Sequence, residues 1–150
     1  MGSVFSVVLL LGGCTDATGT ADPDLFFPTA GDSSGAMMAA LYSGRLVVRA
    51  DCLLLVSERG DFFLPIWRDG STAERDGSGR LVVRDVDVDV IAVEGDAVEL
   101  GGGAIAEFRP TGRTEPRDAQ LAQVEELTGV TIPDRCLGPD VSGVWWVSAG

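Results

Sequence analysis

Ser43-Gly44-Arg45-Leu46-Val47-Val48-Arg49, Cys52-Leu53-Leu54-Leu55-Val56 and Phe62-Phe63-Leu64-Pro65-Ile66-Trp67 are three short apolar runs, rich in β-branched and aromatic residues. Ala50-Asp51 and Glu58-Arg59-Gly60-Asp61 break them apart, and runs of this kind between turn-forming residues are read as strands. The same pattern continues outward in Arg80 to Val83, Val86 to Val93, Ala97 to Leu100 and Val144 to Val147. Strands so short and so regularly punctuated predict a mainly β domain over residues 41–150, a small antiparallel barrel or sandwich. A single short α-helix near the C-terminus is expected over Pro116 to Leu127, with Pro at its start, Asp118 in its first turn and Gly129 beyond its end. Leu121, Val124 and Leu127 would be its apolar stripe, packed on a sheet or plugging a barrel end.

The heptapeptide Ser43 to Arg49 recurs without change as Ser78 to Arg84, and the same offset carries Gly60-Asp61 onto Gly95-Asp96. Either two related strand units share one architecture or two similar strands occur in a Val-rich chain. The second reading is preferred, because the residues between the matched ends do not align.

The chain of 150 residues has 23 acidic against 11 basic residues, all Arg, and a formal charge of −12. Nucleic acid is set aside as a partner, since phosphate binding needs a basic face. Without His the usual neutral-pH base and commonest metal ligand are missing, and without Lys there is no Schiff-base nucleophile. No metal or cofactor is expected. Any catalysis rests on carboxylates, Arg, hydroxyls or backbone dipoles.

Val4 to Leu11 is an apolar run too short to span a bilayer and suited to the core of a signal peptide. It leads into Leu11-Gly12-Gly13-Cys14, which resembles the lipobox of bacterial lipoproteins. That resemblance implies a signal peptide over 1–13, a diacylglyceryl group on Cys14, and localisation at the extracytoplasmic face of the cell membrane. Met1-Gly2-Ser3-Val4-Phe5-Ser6 also fits a myristoylation pattern, but the apolar run after it does not read as the start of a soluble chain. Residues 14–40 read as a flexible tether, with Leu25-Phe26-Phe27-Pro28 as an apolar island docked on the domain and a helical turn near Met37 and Met38. With Cys14 lipidated, Cys52 and Cys136 remain as an even pair in an oxidising compartment and are expected to form a disulfide; the alternative is two unrelated buried thiols.

Asp85-Val86-Asp87-Val88-Asp89-Val90 begins like a calcium loop but lacks its Gly and its bidentate Glu. Its alternation predicts a strand with three carboxylates on a solvated face, paired with Arg45, Arg49, Arg80 or Arg84. Gly95 to Gly103 reads as a tight turn, a strand and a glycine run permitting a bulge, with no Lys to make it a phosphate loop. Together with Cys52-Leu53, Leu64 to Trp67 and Cys136-Leu137-Gly138-Pro139, this segment resembles a family of uncharacterised secreted or lipid-anchored bacterial proteins of actinobacterial type, with a small paired-Cys β domain. That resemblance implies no catalytic residue.

Trp67, Trp145 and Trp146 are the candidate binding surface, since flat rings dominate hot spots and glycan stacking. Adjacent Trp145 and Trp146 on a strand face opposite sides, so burial of one and cover for the other is the competing reading. The functional expectation is a lipid-anchored extracytoplasmic β domain with a binding or structural role, its partner an envelope protein or glycan. The alternative is a cell-envelope hydrolase with a carboxylate pair, which requires two carboxyls in one concavity and one of them raised in pKa.

Overall fold

The structure, a computed structural model, describes residues 22–31, 39–109 and 115–149. The signal-peptide reading, Cys14 and the turn at Met37 and Met38 lie outside the described residues. The chain forms β1 (Thr29–Ala30), β2 (Ala40–Arg49), β3 (Cys52–Ser57), β4 (Phe62–Arg68), β5 (Thr72–Arg75), β6 (Leu81–Arg84), β7 (Val90–Val93), β8 (Ala97–Glu107), α1 (Arg117–Thr128) and β9 (Val141–Ala149).

Five strands, in the order β4-β3-β2-β8-β9, close into a barrel because β9 also pairs with β4. That closure is parallel, with Leu64 opposite Val144 and Ile66 opposite Trp146, so the expected antiparallel barrel is a mixed one. The barrel order is first, second, third, fifth, fourth and back to first, a Greek-key closure. An antiparallel barrel was expected because hairpin spacing is local. The parallel pair joins segments separated by a second sheet and a helix, which no local pattern signals.

Two of the barrel strands, β2 and β8, divide their length between their two neighbours. The first half of β2 pairs with β8 and its second half with β3, and the crossover falls at Gly44. A Cβ there would overlap the Val56 carbonyl oxygen, so only glycine lets the strand turn this corner. β8 turns similarly at Gly102, where a Cβ would overlap the Trp146 carbonyl, and its register against β9 shifts between Gly101 and Gly102. The bulge expected from the glycine run is therefore present, and its role is to close the barrel.

The barrel interior is filled by rings. Tyr42, Phe63 and Trp145, from β2, β4 and β9, meet edge-on with centroids 5.4 to 6.5 Å apart. Toward the other end, Trp67 stacks on Phe27 at 5.6 Å, and Leu46, Leu53 and Leu55 complete the packing. The sheet β5-β6-β7 contributes Ala73, Leu81, Val83 and Ala92 to this core. The apolar island is docked, as expected. Its main chain enters where β3 and β4 separate after two paired residues, with Phe26 bridging Cys52 and β1 pairing with Trp67 and Arg68. Leu25, Phe27 and Ala30 are buried, so the packed unit begins N-terminal to residue 41.

The outer face of the barrel carries the second core. Leu54, Leu64, Ile66, Val144 and Trp146 pack there with Val124 of α1, with Cys136, and with half-buried Val130 and Ile132. On α1 only Val124 of the expected stripe is buried, Leu127 is exposed, and Gln120 is buried in its place. Gln120 earns that position by accepting from the Glu107 N–H and donating to the Glu115 carbonyl, both at 2.9 Å, which ties the start of α1 to the end of β8.

The repeated heptapeptide has two fates. Ser43-Gly44 lie within β2, whereas Ser78-Gly79 lie in a turn before β6, so the identity marks no structural repeat. The strand expected from Val86 shortens to β7, and Asp85 to Asp89 form a turn rather than a sheet face. The Asp85 carboxylate accepts the N–H groups of Asp87 and Asp89, which satisfies the loop locally and defeats alternation. The arginines assigned to that row go elsewhere: Arg49 to Asp140, Arg80 to Asp76 and Asp96, Arg84 to Glu74, Arg45 to the Gly95 carbonyl.

Ser57–Asp61, Asp76–Arg80 and Asp85–Asp89 are one turn used three times, each closed by an N–H from its first residue to the carbonyl of its fifth. The fourth position is left-handed in all three: Gly60 and Gly79 at φ 84°, and Val88 at φ 72°. A β-branched residue is strained there, and Val88 is 67% exposed, so its side chain gains little by burial. Val88→Gly is expected to raise stability by about 1 kcal/mol, net of the added unfolded-state entropy, as a higher midpoint in urea unfolding. A lower midpoint would show that the valine packs productively.

Tyr42 gives a second test. Burial without a hydrogen-bond partner for its hydroxyl pushes its pKa up to about 12. The folded state thus holds the proton more tightly than the unfolded chain, with its pKa of about 10, and stability is lost as pH rises through that interval, by up to about 1.4 kcal/mol per unit. Tyr42 is the one tyrosine of the chain, so phenolate absorbance reads it alone. The midpoint is expected near 12 in the native protein and near 10 in denaturant.

Candidate functional site

The three tryptophans do not form a surface. Trp67, Trp145 and Trp146 are 0, 8 and 6% exposed, Trp67 and Trp145 inside the barrel and Trp146 under the outer cover. The candidate binding surface is not formed, and the competing reading holds: alternation sends the adjacent pair to opposite faces, Trp145 into the barrel and Trp146 under its cover, and both faces of this strand are buried. The outer surface of β3 and β4 is covered by Val124 of α1, Val130, Ile132 and Cys136.

That cover is fastened covalently. Cys52 at the start of β3 and Cys136, 84 residues further on, form the expected disulfide, and both are buried. Arg49, on the strand before Cys52, adds a two-toothed ion pair to Asp140, its Nη2 to Oδ1 distance being 3.0 Å. Its guanidinium also lies 4.4 Å from the centre of the Phe62 ring. The hydrogen bond from Arg49 holds the Asp140 carboxyl below the usual carboxylate range.

Beside this fastening is a groove of about 400 Å³, lined by the Ser57–Asp61 turn, the end of β8, the start of α1 and the approach to β9. Arg109, Arg117, Asp61, Asp140, Phe108 and Ser142 supply its side chains. Arg109 pairs with Asp61 and reaches the Ser142 hydroxyl with Nε at 3.3 Å. Arg117 donates through Nη2 to the carbonyls of Leu137 and Gly138, at 2.9 and 3.3 Å, and lies 4.6 Å from the Phe108 ring centre. Three arginines, counting Arg49, thus gather with two aspartates in a chain of net charge −12. Sequence reading missed this site because its residues come from five separate segments. The signal available was Arg109 and Arg117, each beside an apolar or helix-starting residue.

A second concavity of about 300 Å³ lies where β2, β3 and β8 meet, with Arg45, Glu58 and Glu99 around it. Among the described residues no group of three His, Cys, Asp or Glu is placed to hold a metal ion. Asp61 and Asp140 share the first groove, but each is committed to an arginine. A glycosidase acid needs its carboxyl held up near neutral pH, whereas Asp140 is held down.

The disulfide closes a loop that restricts the unfolded chain and fastens the cover. Cys136→Ser is expected to lower stability by about 2 to 5 kcal/mol, the range for small domains that rely on one bridge. The check is urea unfolding of the variant against wild type under non-reducing conditions, where equal midpoints would refute a structural role.

No family model matches the chain, and no curated protein or solved structure was found to be similar to it.

Proposed function

We propose that this protein is an exported, lipid-anchored β domain that serves the cell envelope as a binding or structural module, with an envelope protein or glycan as partner. The observation that carries this reading is the buried Cys52–Cys136 disulfide, because such bonds persist in oxidising compartments and are rare in the cytosol. The lipobox-like Leu11-Gly12-Gly13-Cys14 supplies the matching address, and a diacylglyceryl group gives the two chains that stable anchoring requires. Among the described residues no helix is long and apolar enough to cross a membrane.

A binding role rather than a catalytic one is favoured by the ion pairing of both carboxylates in the larger groove. The acidic surface keeps such a domain soluble and repels polyanions.

The experiment is membrane fractionation. Wild type is expected in the membrane fraction and in the detergent phase, while Cys14→Ala accumulates as precursor or appears in the medium. Unchanged detergent partitioning of the variant would remove the lipoprotein reading.

A further inference from the structure

We propose that the connection between β8 and β9 is a lid over the outer face of the barrel, latched by the Cys52–Cys136 disulfide: when a dithiol reduces that bond, residues 117–137 lift away together while the barrel stays closed. The inference goes beyond the envelope reading and holds whether or not Cys14 carries a lipid.

The barrel does not need the lid. Its ring β4-β3-β2-β8-β9 is closed by strand pairing alone, and its interior is a separate core to which neither α1 nor residues 130–136 contribute. The lid's own grip on the barrel is slight. Of the 12 residues of α1 only Gln120 and Val124 are buried, and no side chain caps its N-terminus. Half-buried Val130 and Ile132 add to this, as does the Arg49–Asp140 ion pair, whose side chains are 40 and 48% exposed and which contributes little for that reason. Cys136, by contrast, is joined covalently to the start of β3. Breaking that link leaves only the weaker contacts, and elements held by few buried contacts open below the free energy of global unfolding. The lid is also tied to itself. Arg117 Nη2 donates to the carbonyls of Leu137 and Gly138, at 2.9 and 3.3 Å, so the first residue of α1 and the end of the segment move as one piece.

Reduction and opening are coupled. Cys52 and Cys136 are 0 and 1% exposed, and a thiolate must reach a sulfur to attack it, so the lid opens before the reagent meets the bond. One thiolate of the dithiol then breaks the S–S bond to form a mixed disulfide, and its second thiol displaces the cysteine still held. Two electrons and two protons pass from the dithiol to the cysteines, which become thiols, and the reagent ends as a cyclic disulfide. The open state bares Leu54, Leu64, Ile66, Val144 and Trp146, an apolar sheet face that the oxidised protein hides.

The test is amide hydrogen exchange of the full chain, oxidised and in dithiothreitol, with acrylamide quenching of tryptophan fluorescence as a second reading. On reduction the amides of 117–137 are expected to exchange about tenfold faster or more, while those paired between barrel strands keep their protection. Quenching is expected to rise as Trp146 is bared, and Cys136→Ser without reductant is expected to match the reduced wild type. The proposal is overturned if lid and barrel lose protection together, if the lid amides or the quenching do not change, or if dithiothreitol leaves the bond intact in the folded protein. Should Cys136→Ser fail to fold, the reduced wild type decides alone by the same criteria.

Discussion

Closure of the barrel by the parallel pairing of β4 with β9 is the constraint on which the remaining structure depends. Once Leu64 lies beside Val144 and Ile66 beside Trp146, every barrel strand has one inward and one outward row. The inward row must fill a narrow space, and Tyr42, Phe63 and Trp145 do so with edge-to-face contacts. This packing leaves the Tyr42 hydroxyl and the indole nitrogens of Trp67 and Trp145 without partners, a cost accepted for large apolar volume. The tight curvature in turn demands glycine where β2 and β8 change neighbours.

The outward row would be an exposed apolar surface if nothing covered it. The chain solves this within the connection between β8 and β9, which lays α1 and residues 130–136 over Leu54, Leu64 and Ile66. Helix α1 is weakly amphipathic and has no side-chain N-cap, so its own sequence does little to hold it. Its place is set by Val124, by the two hydrogen bonds of Gln120 and by the disulfide behind it. The arginine-lined groove lies along the seam where cover and barrel meet.

Charge is distributed by the same logic. The arginines do not form a basic face; most of them sit within reach of a carboxylate or a carbonyl from another segment. Exposed pairs of this kind contribute little stability each, about 0 to 1 kcal/mol, and their effect is to fix turns and seams. Arg84 illustrates it, donating to the Val88 carbonyl and pairing with Glu74, which holds the strained turn in register.

By itself the sequence determined the β class, the positions of most strands, the single helix and the turn residues, because strand alternation, Gly and Asp signals and helix ends are local. Cysteine parity and the docked Leu25 to Pro28 island were legible for the same reason. Tertiary structure alone decided the parallel closure, the role of Trp67, Trp145 and Trp146 as core, and the meeting of Asp61, Arg109, Arg117 and Asp140 in one groove. Asp85 to Asp89 marks the boundary between the two. Its alternation is that of a strand, yet the Asp85 side chain captures two backbone N–H groups and turns the chain instead. Periodicity states which face a side chain takes if a strand forms, whereas burial on both faces and side-chain capture of the backbone depend on what the rest of the fold brings near.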